Sequence, residues 1–228
     1  MGILEVSNLY KDYGKKLALK NINLSFDLGQ IVGLYGPNGS GKTTFLKIIA
    51  GLLRPSKGKV ILDGREIGVY TKSIVAYLPD RNILPLWMKV RDARNFYKDF
   101  FDFDEARFKS LLEFFELREE LNLRELSKGD LEKILLSLTL SRKAKVYLLD
   151  EPLGGMDPST RDKVITSILR SYHEESLMII ATHLIGEIEN ITERTIFIHN
   201  GELVLDDNTE KIREEKGVSI NELFKKMF

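Results

Sequence analysis

Eight consecutive residues, Gly36-Pro37-Asn38-Gly39-Ser40-Gly41-Lys42-Thr43, restrict this chain more than any other stretch. They satisfy the pattern G-x-x-x-x-G-K-[ST], the P-loop. An apolar run, Gln30-Ile31-Val32-Gly33-Leu34-Tyr35, precedes them and reads as a buried strand. Leu46, Ile49, Ala50 and Leu53 follow on one face of a helix. Glycines let successive backbone N–H groups turn toward one anion, and the helix adds its positive end. Lys42 is expected to reach the outer phosphates of a nucleotide and the Thr43 hydroxyl to ligate Mg²⁺, with residues 36–44, Thr44 included, lining the cradle. With glycine at about 7% of residues, such an octet arises by chance on the order of once in a hundred chains of this length.

The remaining pattern supplies the fold that such a loop needs. Ile3-Leu4-Glu5-Val6 and Ile22-Asn23-Leu24-Ser25-Phe26 alternate as strands, and Lys59-Val60-Ile61-Leu62 runs into the turn Asp63-Gly64. Ser73 to Leu78 reads as a strand closed by Pro79. Between about Leu84 and Arg124 strand signals give way to aromatics, including Trp87, Phe96, Tyr97, Phe100, Phe101 and Phe103. Phe108, Leu111, Leu112 and Phe115 then repeat at helical spacing. A helix over 130–142, a strand at Val146–Leu149, a helix from Pro158 to about His173 and a strand at Leu177–Ala181 follow. Thr195–Leu205 reads as a hairpin through Asn200-Gly201. The expected fold is α/β: a P-loop core with a mainly parallel sheet, an N-terminal antiparallel β subdomain and an inserted α-helical subdomain. One domain is expected over 1–228. Residues 1–83 and 140–205 form the core, 84–139 the helical lobe, and 206–228 a helical tail in which Ile220, Leu223 and Phe224 dock back.

Val146-Tyr147-Leu148-Leu149-Asp150-Glu151 carries a buried strand into two adjacent acids. Burying carboxylates is costly unless cations or solvent receive them. Beside a P-loop, Asp150 is expected to hold Mg²⁺ through water, and Glu151 to take a proton from an attacking water.

Bulk properties remove several alternatives. The 228 residues include 34 Lys+Arg against 34 Asp+Glu, a balance that gives no support to a nucleic-acid-coating protein. The absence of cysteine excludes disulfides and thiolate chemistry and fits a reducing cytosol. No apolar run approaches the roughly 18 residues that span a bilayer, and the N-terminus lacks a signal-peptide layout. Any membrane role is expected to pass through a partner.

The order of these motifs, together with Leu126-Ser127-Lys128-Gly129-Asp130, Gly155-Met156-Asp157-Pro158 and Thr182-His183, resembles the nucleotide-binding domain of ABC ATPases. Tyr77-Leu78-Pro79-Asp80 and Leu-Ser-Lys-Gly are most similar to the bacterial antibiotic- and drug-efflux branch. The resemblance implies an Mg²⁺-dependent ATPase working as a homo- or heterodimer beneath a transmembrane permease subunit, on the cytoplasmic face, with export the favoured direction. It implies that Tyr13 stacks on adenine, that Ser127 and Gly129 contact the γ-phosphate held by the opposite subunit, that Asp157 crosses the dimer interface, and that His183 contacts the γ-phosphate. Local sequence allows plainer roles: packing for Tyr13, an N-cap for Ser127, an N-cap before Pro158 for Asp157, and a loop position for His183.

Two motifs depart from the family pattern. The signature carries Lys128 and Asp130 where glycine and glutamine are usual, and Lys128 is expected to offset the charge of Asp130. Asp80 stands where the family has a glutamine that senses Mg²⁺, water and the membrane partner. A carboxylate accepts but cannot donate, so altered metal dependence is expected. The rival readings are a regulatory module that holds ATP without useful hydrolysis and an ABC ATPase with no transport role. Retention of Lys42, Asp150, Glu151 and His183 argues against the first. The lack of a second motor domain or a long coiled-coil insertion argues against the second.

Overall fold

The computed structural model describes residues 2–228. The chain opens with β1 (Leu4–Asp12), β2 (Leu17–Phe26), β3 (Gln30–Tyr35), α1 (Lys42–Ile49), β4 (Lys57–Leu62), β5 (Arg65–Glu66), α2 (Val69–Ser73) and β6 (Val75–Leu78). Helices α3 (Val90–Phe100), α4 (Glu105–Phe114) and α5 (Lys128–Leu140) lie between β6 and β7 (Val146–Asp150). Then come α6 (Pro158–Ser171), β8 (Leu177–Thr182), α7 (Ile185–Ile188), β9 (Arg194–His199), β10 (Glu202–Asn208), α8 (Thr209–Lys216) and α9 (Ile220–Met227).

Two sheets organise these elements. An antiparallel sheet has the order β2-β1-β4-β5, and a second has the order β10-β9-β3-β8-β7-β6. The second is parallel except at the β9–β10 hairpin. Its central strands are buried on both faces, so period-2 alternation divides their residues between two cores. Ile31, Tyr35, Tyr147, Leu149, Met178 and Ile180 join the core shared with the helical segment. Val32, Leu34, Val146, Leu148, Leu177 and Ile179 face the core formed with α1 and the antiparallel sheet. Fully buried side chains such as Phe45, Leu46 and Phe108 each contribute about 1.5–3 kcal/mol by leaving water.

Several boundaries differ from the sequence reading. Helix α1 stops at Ile49 and does not reach Leu53, because Gly51 takes a left-handed φ of 70° that ends the helix. The strand expected from Ser73 begins at Val75. Residues 69–73 coil as α2 instead, started by a hydrogen bond from the Gly68 N–H to the buried Thr71 hydroxyl, 2.8 Å. Strand β1 runs on to Asp12 past an irregularity at Asn8, whose φ is 47°, where polar residues break the alternation. β10 continues to Asn208, so the C-terminal helices start at Thr209 rather than at residue 206. The hairpin turns at Asn200 and Gly201, both left-handed, as a two-residue turn demands.

Two contacts tie outlying segments to the core. The Arg142 guanidinium, just past α5, donates to the carbonyls of Lys72, Ser73 and Val75 and stacks 3.7 Å from the Phe101 ring centroid. At the other end of the chain, Phe224 and Phe228 pack their rings against Phe197 of β9, and Ile220 is buried. Tyr97, Phe108 and Phe115 are buried, whereas Trp87, Phe96 and Phe100 are exposed.

Candidate active site

The loop after β3, the acids ending β7, the residues after β8 and the segment after β6 all sit at the carboxyl ends of parallel strands. That edge is where the chemistry gathers. The P-loop turns through left-handed glycines, Gly39 at φ 78° and Gly41 at φ 117°. A Cβ on Gly36 would lie 2.2 Å from the Ile198 carbonyl oxygen, and one on Gly41 2.6 Å from that of Ala18. Only glycine fits either place. The Ser40 hydroxyl is buried beside Gly36 and has no hydrogen-bond partner among the described residues. An anion within the loop would supply one.

Lys42, first residue of α1, is buried. Its ammonium donates to the carbonyls of Gly36 at 2.7 Å and Pro37 at 3.2 Å and lies 3.9 Å from Glu151 Oε1. Burial lowers its pKa, and the charges of Glu151 and Asp150 oppose that shift. Thr43 donates from Oγ1 to Asp150 Oδ1 at 3.1 Å. Tyr77, on β6, donates its phenolic proton to Asp150 Oδ2 at 3.2 Å. Asp150 is 1% exposed. Burial drives its carboxyl up to about 6, the charges of Asp80 and Glu151 push the same way, and the Thr43 and Tyr77 hydrogen bonds pull against them.

Glu151 occupies a left-handed backbone position, φ 51°, a conformation that costs about 1–3 kcal/mol in a non-glycine residue. Its N–H bonds to the Ala181 carbonyl at 2.7 Å, holding the distortion in place. Its Oε2 accepts from the Thr182 hydroxyl at 2.8 Å and meets His183 Nδ1 at 3.0 Å. Asp80 is exposed and pairs with Arg81 at 3.8 Å. It lines a cleft of about 180 Å³ with Lys128, Glu132, Glu151 and Gly155.

The adenine-side candidate is tethered to the same loop. Tyr13 is 55% exposed on the turn between β1 and β2, with the Lys11 ammonium 5.1 Å from its ring centroid. Lys16, in that turn, donates to the Gly39 carbonyl at 2.8 Å and fastens the turn to the P-loop. Ser127 caps α5, accepting from the Asp130 N–H at 3.1 Å and donating to Asp130 Oδ2 at 2.7 Å. A Cβ on Gly129 would meet nothing within the chain closer than 4.0 Å, so internal packing does not demand that glycine. Asp157 caps α6 with hydrogen bonds from Thr160 and Ser159, which hold its carboxyl well below the usual range.

One expectation is corrected. Lys128 does not offset Asp130: it points to Glu132, 3.7 Å away, while Lys133 pairs with Asp130 at 3.0 Å. The i,i+3 spacing puts Lys133 on the same helix face as Asp130, and that local pair wins. Tyr77 and Thr182 join the site with no role that the sequence marks, since each sits in an apolar strand run and only the fold aims its hydroxyl at an acid.

These residues suit a nucleotide with a hard divalent cation. Thr43 and Asp150 offer oxygen donors 3.1 Å apart, the set Mg²⁺ accepts when phosphate and water complete its shell. No cluster of three His, Cys, Asp or Glu side chains among the described residues makes an all-protein metal cage. A phosphate cradle facing strand-end acids defines the class: P-loop nucleotide-binding proteins.

Within that class the chain belongs to the ABC transporter family, whose sequence profile matches residues 19–154. It is 28% identical over 218 residues to the lantibiotic transport ATP-binding protein SrtF of Streptococcus pyogenes, covering 93% of this chain and 95% of that one. It is 31% identical over 206 residues to the aliphatic sulfonates import ATP-binding protein SsuB of Zymomonas mobilis, covering 89% and 85%. Among solved structures, an ATP-binding subunit of an ABC transporter superposes with a TM-score of 0.88 at 24% identity, covering 98% of both chains. The cassette MJ0796, solved as a dimer bound to ADP and phosphate, matches with a TM-score of 0.79 at 22% identity, covering 90% of this chain and 98% of that one. Both place the fold among ABC ATPases.

Proposed function

We propose that this protein is the Mg²⁺-dependent ATPase subunit of a membrane transporter, two copies closing over ATP to drive a separate permease. The observation that carries the proposal is the placement of Glu151. It is held by Thr182 and His183, 3.9 Å from the P-loop lysine, in a backbone conformation that the neighbouring strand enforces.

In this reading the P-loop amides and Lys42 grip the triphosphate, and Tyr13 stacks on the base. Thr43 and Asp150 hold Mg²⁺, which when bound neutralises charge on the phosphate oxygens. Glu151 takes the proton of the attacking water, and its hydrogen bonds from Thr182 and His183 fix the carboxylate that does so. Lys42 leaves its carbonyl contacts for phosphate oxygens, a favourable exchange for a buried ammonium. Asp80 lines the cleft beside this centre and relays the permease's position to it.

The signature at Ser127 and Gly129 completes the other subunit's site. Gly129 supports this, because a glycine that its own chain does not require leaves backbone open to a close partner. Asp157 sits at the same seam. Trp87, 78% exposed beside Leu86 at 47%, lies a few residues past Asp80 and offers the permease an apolar docking surface. No helix among the described residues is long and apolar enough to cross a membrane, so the transport path is assigned to that partner. Residues 84–139 act as one lobe on a single ATPase domain, which lies on the cytoplasmic face of the membrane. The direction we assign is export, supported by the resemblance at Tyr77–Asp80 and at the signature.

Glu151→Gln is the test. It should retain MgATP binding, lose turnover by at least a hundredfold, and accumulate as an ATP-bound dimer in size-exclusion chromatography with light scattering. Wild-type turnover in that variant would remove Glu151 as the base and the mechanism with it.

A further inference from the structure

We infer that Tyr77 is a positioning residue of the metal site, its hydroxyl fixing the carboxylate of Asp150 so that one oxygen is presented to the cation with Thr43. This rests on the nucleotide-binding reading above and adds to it a residue outside the P-loop and the acidic strand end.

A buried carboxylate requires a partner for each of its oxygens. Asp150 is 1% exposed and has two oxygens to satisfy. Thr43 Oγ1 serves Oδ1 at 3.1 Å and Tyr77 OH serves Oδ2 at 3.2 Å. The two donors come from different elements. Thr43 belongs to the helix after the P-loop, whereas Tyr77 belongs to β6, which pairs in parallel with β7, Tyr77 opposite Leu148. A carboxylate held at both oxygens cannot rotate about its terminal torsion. Cation binding would replace the Thr43 contact while Oδ2 stays fixed by the phenol. Partners that orient a metal-binding carboxylate from behind in this way commonly govern affinity.

The phenol has no other role that the fold requires. Its ring packs at the margin of the core shared with α1 and the antiparallel sheet, a contact that phenylalanine reproduces. The hydroxyl's side-chain hydrogen bond goes to Asp150. Tyr77 also stands three residues before Asp80, which lies just past the end of β6, with Leu78 and Pro79 buried between them. Displacement of the segment at 80 therefore reaches Asp150 through this hydroxyl.

The test uses the full-length protein and two phenylalanine variants, with Mn²⁺ as the probe. Mn²⁺ binding to the ATP-loaded protein is followed by electron paramagnetic resonance, and ATP binding without metal by calorimetry. Y77F should keep its cooperative fold and metal-free ATP binding, melting somewhat lower for the unpaired Oδ2, while Mn²⁺ affinity falls on the order of tenfold. Y97F removes a buried hydroxyl from α3 far from Asp150, and its Mn²⁺ affinity should match wild type. If Y77F and wild type bind Mn²⁺ equally, or Y97F weakens binding as much as Y77F, the assignment is overturned. Should wild type bind no ATP at all, the proposed function itself fails, an outcome distinct from either of these.

Discussion

Replacing Arg142 with methionine should cost about 3 kcal/mol of stability while leaving ATP affinity unchanged. The guanidinium is 6% exposed and donates to three carbonyls, Val75 at 2.5 Å, Ser73 at 3.1 Å and Lys72 at 3.2 Å. At about 1 kcal/mol net for each hydrogen bond, these contribute about 3 kcal/mol. The stack on Phe101 at 3.7 Å adds about 1–2 kcal/mol in a desolvated setting. Against this, methionine restores apolar burial and removes the cost of keeping a cation out of water, a credit of about 1–2 kcal/mol. The contacts join the end of α5 to the turn between α2 and β6, none of which touches the P-loop. Urea unfolding followed by fluorescence would measure the loss. With a slope of about 3 kcal/mol per molar for a chain of this size, the midpoint should fall by about 1 M. R142K, which offers donors without the planar fork, should fall between the two. A midpoint shift below about 0.2 M for R142M would show that the guanidinium is not holding the helical segment to the sheet.

Other consequences follow from the same geometry. Thr182→Val removes the hydroxyl 2.8 Å from Glu151 Oε2 without changing shape, so kcat should drop on the order of tenfold at unchanged KM; wild-type kcat would show that Glu151 does not depend on it. Asp63 accepts from Lys145 at 2.8 Å and from Tyr70, and these bonds hold its carboxyl below the ordinary value of 3.8. A depressed pKa gives stability that is present above the unfolded value and lost as pH falls through the folded one. Asp63→Asn should therefore melt lower than wild type at pH 7, by a small margin because the pair is exposed, and the gap should narrow as pH falls below the ordinary carboxylate value of 3.8. A gap of the same size on either side of that value would contradict the assigned cause.

Much of the site was legible because its chemistry is local in sequence. The glycines of 36–41, Lys42 and Thr43 must be contiguous to wrap one anion, and Leu149-Asp150-Glu151 must end a buried strand. The sheet was legible for a similar reason, since parallel strands buried on both faces leave apolar runs such as Val146–Leu149. What stayed hidden depends on contacts between distant segments. Tyr77 reads as one more strand residue until β6 pairs with β7 and carries its hydroxyl to Asp150. Nothing local marks Arg142 either, because its partners lie about seventy residues away. Trp87 and Phe100 carry no sign in the sequence that they face solvent while Phe108 and Phe115 face the core. The Asp130–Lys133 pair follows i,i+3 helical spacing, whereas Lys128, two residues before Asp130 in sequence, pairs with Glu132 instead.

The central claim is that the loop around Lys42 binds ATP beside acids that hydrolyse it. Phosphate release by the purified wild-type protein and by Lys42→Met, each with and without Mg²⁺, tests this most directly. The account predicts Mg²⁺-dependent release by wild type and none above background by the variant, which should fold normally yet bind ATP far more weakly. Equal release by both proteins, or tight ATP binding by the variant, would place the nucleotide elsewhere and contradict the account.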